Sequence, residues 1–123
     1  MNLQQLESEF SEFVSAQQIH DAAHDIHHVK RVVNTAKKLC QQESAEINVV
    51  LPAAWLHDCV SFPKNHPDNK RASELAADKA IEFLATVGYP AEYFEAIHDA
   101  IKCHSYSAGF QPKTIEAKVV QDA

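Results

Sequence analysis

Apolar residues recur at three- and four-residue intervals along most of this chain, the spacing that lines one side of a helix. Leu3, Leu6, Phe10, Phe13 and Val14 predict a first helix. Val29, Val32, Val33, Ala36, Leu39 and Cys40 predict a second, which begins somewhere inside the histidine-rich stretch HDAAHDIHHVKRV at 20–32. A third is expected from about Ala45 to Leu56, where Pro52 requires a kink or a late start because it has no N–H to donate. The stretch CVSFPKNHPDNK (59–70) reads as the longest loop. A fourth helix falls within NKRASELAADKAIEFLATV and stops at Gly88, with Pro90 just beyond. A fifth spans about Ala91 to Cys103, and Thr114 looks like the N-cap of a last segment, IEAKVVQDA. The prediction is therefore an all-α fold. Only two glycines, Gly88 and Gly109, are present, which disfavours a turn-rich sheet and excludes a glycine-rich phosphate loop.

Composition narrows the function classes. A chain of 123 residues with 46% apolar and 23% charged residues suits one globular domain. The net charge of −6 argues against non-specific nucleic-acid binding and against an anionic membrane surface. It leaves a phosphate substrate open, because a bound divalent cation reverses the local field. No segment reaches the ~18 consecutive apolar residues of a membrane span, and MNLQQLESEF lacks the basic start and apolar run of a signal peptide. Cys40, Cys59 and Cys103 form no CxxC pair, so a reducing, cytoplasmic location is expected. Ile115, Val119 and Asp122 continue a helical stripe with no stop signal. The expectation is a single domain over 1–123 whose C-terminal helices are missing, the other reading being a short frayed terminal helix.

Chemistry enters where polar side chains fall on apolar faces. His28 shares a face with Val32, Ala36 and Leu39. His57 follows Val50 and Ala54, with Asp58 beside it at the helix terminus. Asp122 lies on the stripe of Ile115 and Val119. A buried carboxylate without a partner costs several kcal/mol or neutralises itself. A divalent cation shared by His28, His57, Asp58 and Asp122 would satisfy all four. Mixed imidazole and carboxylate donors suit Mn, Fe, Co, Ni or Zn better than Ca. A single inward histidine is more often a hydrogen-bonded core residue, and one His-Asp dipeptide is weak evidence; their conjunction is stronger.

HDIHHVKRVVNTA, then AAWLHDC, then VVQDA resemble the HD-domain superfamily of metal-dependent phosphohydrolases, and most closely its small, largely uncharacterised bacterial branch. The similarity runs from about His20 to Ala123. It implies an all-α bundle with the metal between helices, the first ligand on His28, the His-Asp pair on His57 and Asp58, and the last ligand on Asp122. It also implies hydrolysis of a phosphate ester, with a nucleotide or small phosphorylated metabolite as substrate and Mn, Mg, Fe, Co, Ni or Zn as the ion. Asp58 would orient or deprotonate the attacking water.

The remaining candidates are weighed one by one. His104 shares a face with Ile97 and Ile101 and would assist catalysis beside Asp58. His98 is turned about 120° away and reads as a structural or rim residue. Nothing matches a paired HH, which gives a second ion no firm support. His24, four residues before His28, is a candidate for substrate binding or for orienting Asp58, and a solvated histidine is the equal alternative. Arg71, at the edge of the long loop, is a candidate phosphate contact. His20 and His27 read as solvated, and Arg31 as the partner of an acid near the site. Two rival classes stay open: a dinuclear-iron oxygenase of the same superfamily, and a non-catalytic module that binds metal or nucleotide. A homodimer is compatible with all of them.

Overall fold

The computed structural model describes residues 3–16, 26–60, 71–104 and 111–123. Six α-helices are built from these, and no strand occurs among the described residues. They are α1 (Leu3–Ala16), α2 (Ile26–Glu43), α3 (Ile47–Leu56), α4 (Ala72–Thr86), α5 (Phe94–Lys102) and α6 (Ile115–Asp122), with a 3₁₀ turn over Ala91–Tyr93 ahead of α5. The hydrophobic period placed all six correctly. The long loop at 61–70 lies outside the described residues. Among the described residues, no helix is long and apolar enough to cross a membrane.

The bundle is organised around α3. Its residues from Val49 to Leu56 are all buried, as expected of a helix that is apolar on every side. α1, α2, α4, α5 and α6 all pack against it. The amphipathic helices present their stripes inward: Phe10 and Val14 from α1, Val29, Val33, Ala36 and Cys40 from α2, Ile97, Ala100 and Ile101 from α5. The three thiols are buried, and burial pushes each above its ordinary pKa, Cys59 up to about 12. They behave as small core residues.

Pro52 sits inside α3 rather than at its start. A proline there cannot donate to the carbonyl four residues back, which belongs to Asn48. The structure fills the gap from another helix. The Tyr89 hydroxyl donates to the Asn48 carbonyl at 2.5 Å. Burial pushes the Tyr89 phenol upward, so it remains a protonated donor. The tyrosine is placed by the end of α4, where Gly88 adopts φ +74. Gly88 N–H bonds the Ala85 carbonyl at 3.4 Å and Tyr89 N–H bonds Leu84 at 3.0 Å. That 6→1 and 5→2 pair is the Schellman closure that the Gly88 signal predicts.

A second cross-helix node is polar. Glu7 on α1 accepts from Trp55 Nε1 at 3.1 Å and from Lys37 Nζ at 3.0 Å. It ties α1 and α2 to the last turn of α3. At the opposite end of the bundle, Thr114 caps α6 by accepting from Ala117 N–H at 3.0 Å, as predicted.

Tyr89→Phe leaves the Asn48 carbonyl without its replacement donor. We expect a loss of about 1–3 kcal/mol, measured by urea unfolding at neutral pH with unchanged cooperativity. Wild-type stability in this variant would show that the proline gap needs no filling.

Candidate metal centre

The C-terminal end of α3 and the first turn of α2 meet at one point. His57 occupies the C-cap position of α3, with helical backbone and only 6% exposure. Asp58 follows it and is largely buried. His28, in the first turn of α2, brings its ring centroid to 6.4 Å from that of His57. The donor atoms of His28, His57 and Asp58 all lie within 4.8 Å of one another.

The local hydrogen bonds decide which atoms face that point. His57 Nδ1 is 2.6 Å from the Ala54 carbonyl. A carbonyl only accepts, so Nδ1 carries the proton and donates, and Nε2 is left with its lone pair. Nε2 lies 3.1 Å from Asp58 Oδ2. In the neutral ring this brings two electron-rich atoms together with no proton between them. His104, just past α5, repeats the device: its Nδ1 donates to the Ile101 carbonyl at 2.6 Å, and its Nε2 lies 3.5 Å from Asp58 Oδ1. The rings of His57 and His104 meet edge to face at 5.0 Å.

Such a cluster calls for positive charge, either an added proton on an imidazole or a cation. The donor set fits a transition metal. Two imidazoles and a carboxylate suit Mn, Fe, Co, Ni and Zn. Ligands about 2.1 Å from an ion and at right angles stand ~3 Å apart, which matches the His57–Asp58 separation. Carbonyl bonds that fix a ligating histidine's tautomer are the usual support of a metal site.

Asp122 is not among the donors brought together. It is exposed, and lines a hollow of about 310 Å³ with Leu39, Glu43, Ile115, Lys118 and Val119. Leu39 is three turns along α2 from His28, ~16 Å by helical rise. The reason is a rotation of the α6 stripe. The buried residues are Ala117, Val119 and Val120, while Ile115 is 39% exposed. On a helix this short, apolar residues at 115, 119 and 120 allow more than one phase.

The other expected residues divide. His104 reaches Asp58, as its position after Ile97 and Ile101 predicts. His98 turns away and pairs with Asp78 at 2.7 Å on the surface, and His27 is exposed. Arg31 is exposed with no ion pair among the described residues, so the expected acidic partner is not found. Arg71 is exposed at the N-cap position of α4. His20 and His24 lie outside the described residues.

Two features escape a reading of the sequence. One is Glu7, whose bond to Trp55 spans 48 residues. The other is Ser73, 5% exposed, whose Oγ is the buried side-chain polar atom without a hydrogen-bond partner among the described residues. A serine in a first turn is unremarkable in sequence. Buried without a partner, it costs about 1–3 kcal/mol.

Comparison with known proteins agrees with this geometry. The chain is similar to the uncharacterized protein YpgQ of Bacillus subtilis (strain 168), with 30% identity over 106 residues that cover 83% of this chain and 49% of that protein. The chain thus spans about half the length of this curated relative. Residues 20–123, which hold the whole donor cluster, match the HD domain, and the chain belongs to that family.

Proposed function

We propose that the protein is a divalent-metal-dependent phosphohydrolase acting on a nucleotide or another small phosphorylated metabolite. The HD superfamily is one of metal-dependent phosphohydrolases. The observation that carries the reading to this chain is the convergence of His28, His57 and Asp58 within 4.8 Å, with the His57 Nδ1 proton already committed to Ala54. A bound divalent ion supplies Lewis-acid polarisation of a phosphoryl oxygen and an acidified water.

The chain's own residues supply the rest. His57 and Asp58 follow directly on the buried run Val49–Leu56 of α3, so their positions are fixed by core packing, and little reorganisation is needed at the moment of reaction. Asp58 is the group to orient the water or take its proton. His104, its Nδ1 proton held by Ile101, presents Nε2 toward Asp58 and can pass a proton between that carboxylate and a leaving oxygen.

One observation favours the dinuclear reading of the same site. Asp58 turns Oδ2 to His57 and Oδ1 to His104, at 3.1 and 3.5 Å. If a second ion were bound, Asp58 and His104 would be the residues to hold it. The two readings differ in stoichiometry.

For the purified protein loaded with Mn²⁺, Co²⁺ or Ni²⁺, we expect one ion per chain by elemental analysis and release of phosphate from at least one member of a nucleotide panel. Two ions, with one lost on His104→Gln, would instead support the dinuclear site. His57→Ala and Asp58→Ala should each lose the ion, and Asp122→Asn should keep it. Full metal content in Asp58→Ala overturns the assignment.

If His104 serves proton transfer alone, His104→Gln retains one ion and lowers kcat by about 10²–10⁴. Unchanged kcat in a metal-loaded His104→Gln protein would remove it from the chemistry.

A further inference from the structure

We propose that Gln121, on α6, is a positioning residue that holds the His104 ring against Asp58. The inference rests on the proton-transfer role proposed for His104 and adds the residue that aims it.

His57 and His104 direct Nε2 at the same carboxylate by the same device, a ring Nδ1 proton given to a carbonyl three residues earlier. Their backbones are not equally secured. His57 comes directly after Leu56, at the end of the buried run of α3. His104 stands two residues beyond Lys102, where α5 ends, and the last carbonyls of a helix have no partner within it. A histidine so placed keeps its aim only if something outside α5 fixes the peptide that carries it.

Gln121 is that outside tie. Its Nε2 donates to the Cys103 carbonyl at 2.9 Å, across 18 positions of sequence. The other end of the same peptide unit is bound as well, since the His104 N–H donates to the Ile101 carbonyl at 3.2 Å. A peptide unit is planar and turns as one piece. With its oxygen held by α6 and its N–H by α5, the Cys103–His104 peptide cannot rotate without losing both bonds. The ring closes the set, because Nδ1 reaches the same Ile101 oxygen at 2.6 Å. Backbone and ring together leave Nε2 facing Asp58 Oδ1 at 3.5 Å.

The tie is itself well anchored. Gln121 lies one turn beyond Ala117 and next to Val120, both buried, on a helix that packs against α5. Cys103 is 2% exposed, so water is a poor substitute for the amide as donor to its carbonyl. α6 thus serves the centre through Gln121, whereas Asp122 beside it lines the hollow with Leu39.

The experiment follows the His104 Nδ1–H signal of the full chain by heteronuclear NMR at fixed neutral pH, the signal being assigned by its absence in His104→Gln. This readout needs neither metal nor activity. Gln121→Met has similar length and no donor, and Gln121→Glu matches the shape but offers only acceptors. Each should lose or broaden the His104 signal and leave that of His57 in place. In the metal-loaded protein both should keep wild-type metal content and KM and lower kcat about tenfold to a hundredfold, the cost of a small misplacement. In a His104→Gln background either substitution should change kcat by less than about twofold, since the residue through which it acts is gone. A wild-type His104 signal in both variants overturns the proposal. So does an undiminished loss of kcat in the His104→Gln background, which would make Gln121 a support of the bundle at large. A wild-type protein that releases no phosphate, yet whose His104 signal depends on Gln121, sinks the hydrolase reading and leaves the positioning standing.

Discussion

The structure turns on one electrostatic constraint: several groups rich in lone pairs are forced together in a buried place. His57 Nε2, both oxygens of Asp58 and His104 Nε2 face one another at 3.1 and 3.5 Å. Neither imidazole can relieve this by switching tautomer, because each Nδ1 proton is held by a carbonyl three residues earlier. The two carbonyls belong to the last turns of α3 and α5, whose C-terminal ends add their own partial negative charge. Two helix C-termini and a carboxylate pointing at one spot make it a place for a cation.

The surrounding fold can be understood as what holds that arrangement. A cluster of like partial charges would spread apart on a mobile loop. Here it sits on the end of the most deeply packed helix, with Leu56 fully buried immediately before His57. Glu7 ties Trp55, two residues ahead of His57, to α1. Tyr89 repairs the hydrogen-bond gap that Pro52 opens in the same helix. α1 lies outside the residues that match the HD domain. Even so it contributes Phe10 and Val14 to the core and the carboxylate that receives Trp55.

How much of this can be read from the chain depends on the range of each interaction. Local patterns carry well: the apolar stripes, the Thr114 cap and the Gly88 closure each involve residues within about five positions. His28, His57 and His104 were legible for a similar reason, since each lies in register with apolar neighbours of the adjoining helix, and Asp58 was read from its place beside His57. Asp122 stands apart from the donors of α2 and α3 because the eight residues of α6 admit two phases, and packing against α5, α2 and α3 selects between them. Glu7–Trp55 and Tyr89–Asn48 join residues 48 and 41 positions apart, and no local pattern marks either pair. Ser73 is a different case, because what distinguishes it is a missing partner, a property of the folded surroundings alone.

By net charge alone, an acidic chain is a poor host for a phosphate. The net charge of −6 acts over distances that salt screens at roughly 8–10 Å, whereas binding is decided within a few ångströms. At that range the local order is the reverse of the overall one. The C-termini of α3 and α5 and the Asp58 carboxylate favour a cation, and a cation so held is itself the strongest attraction for a phosphoryl oxygen. α4 is held alongside this end of the bundle by the bond from the Cys59 thiol to the Ala76 carbonyl. The bundle brings about this local reversal by turning the C-terminal ends of α3 and α5 toward a single carboxylate, Asp58.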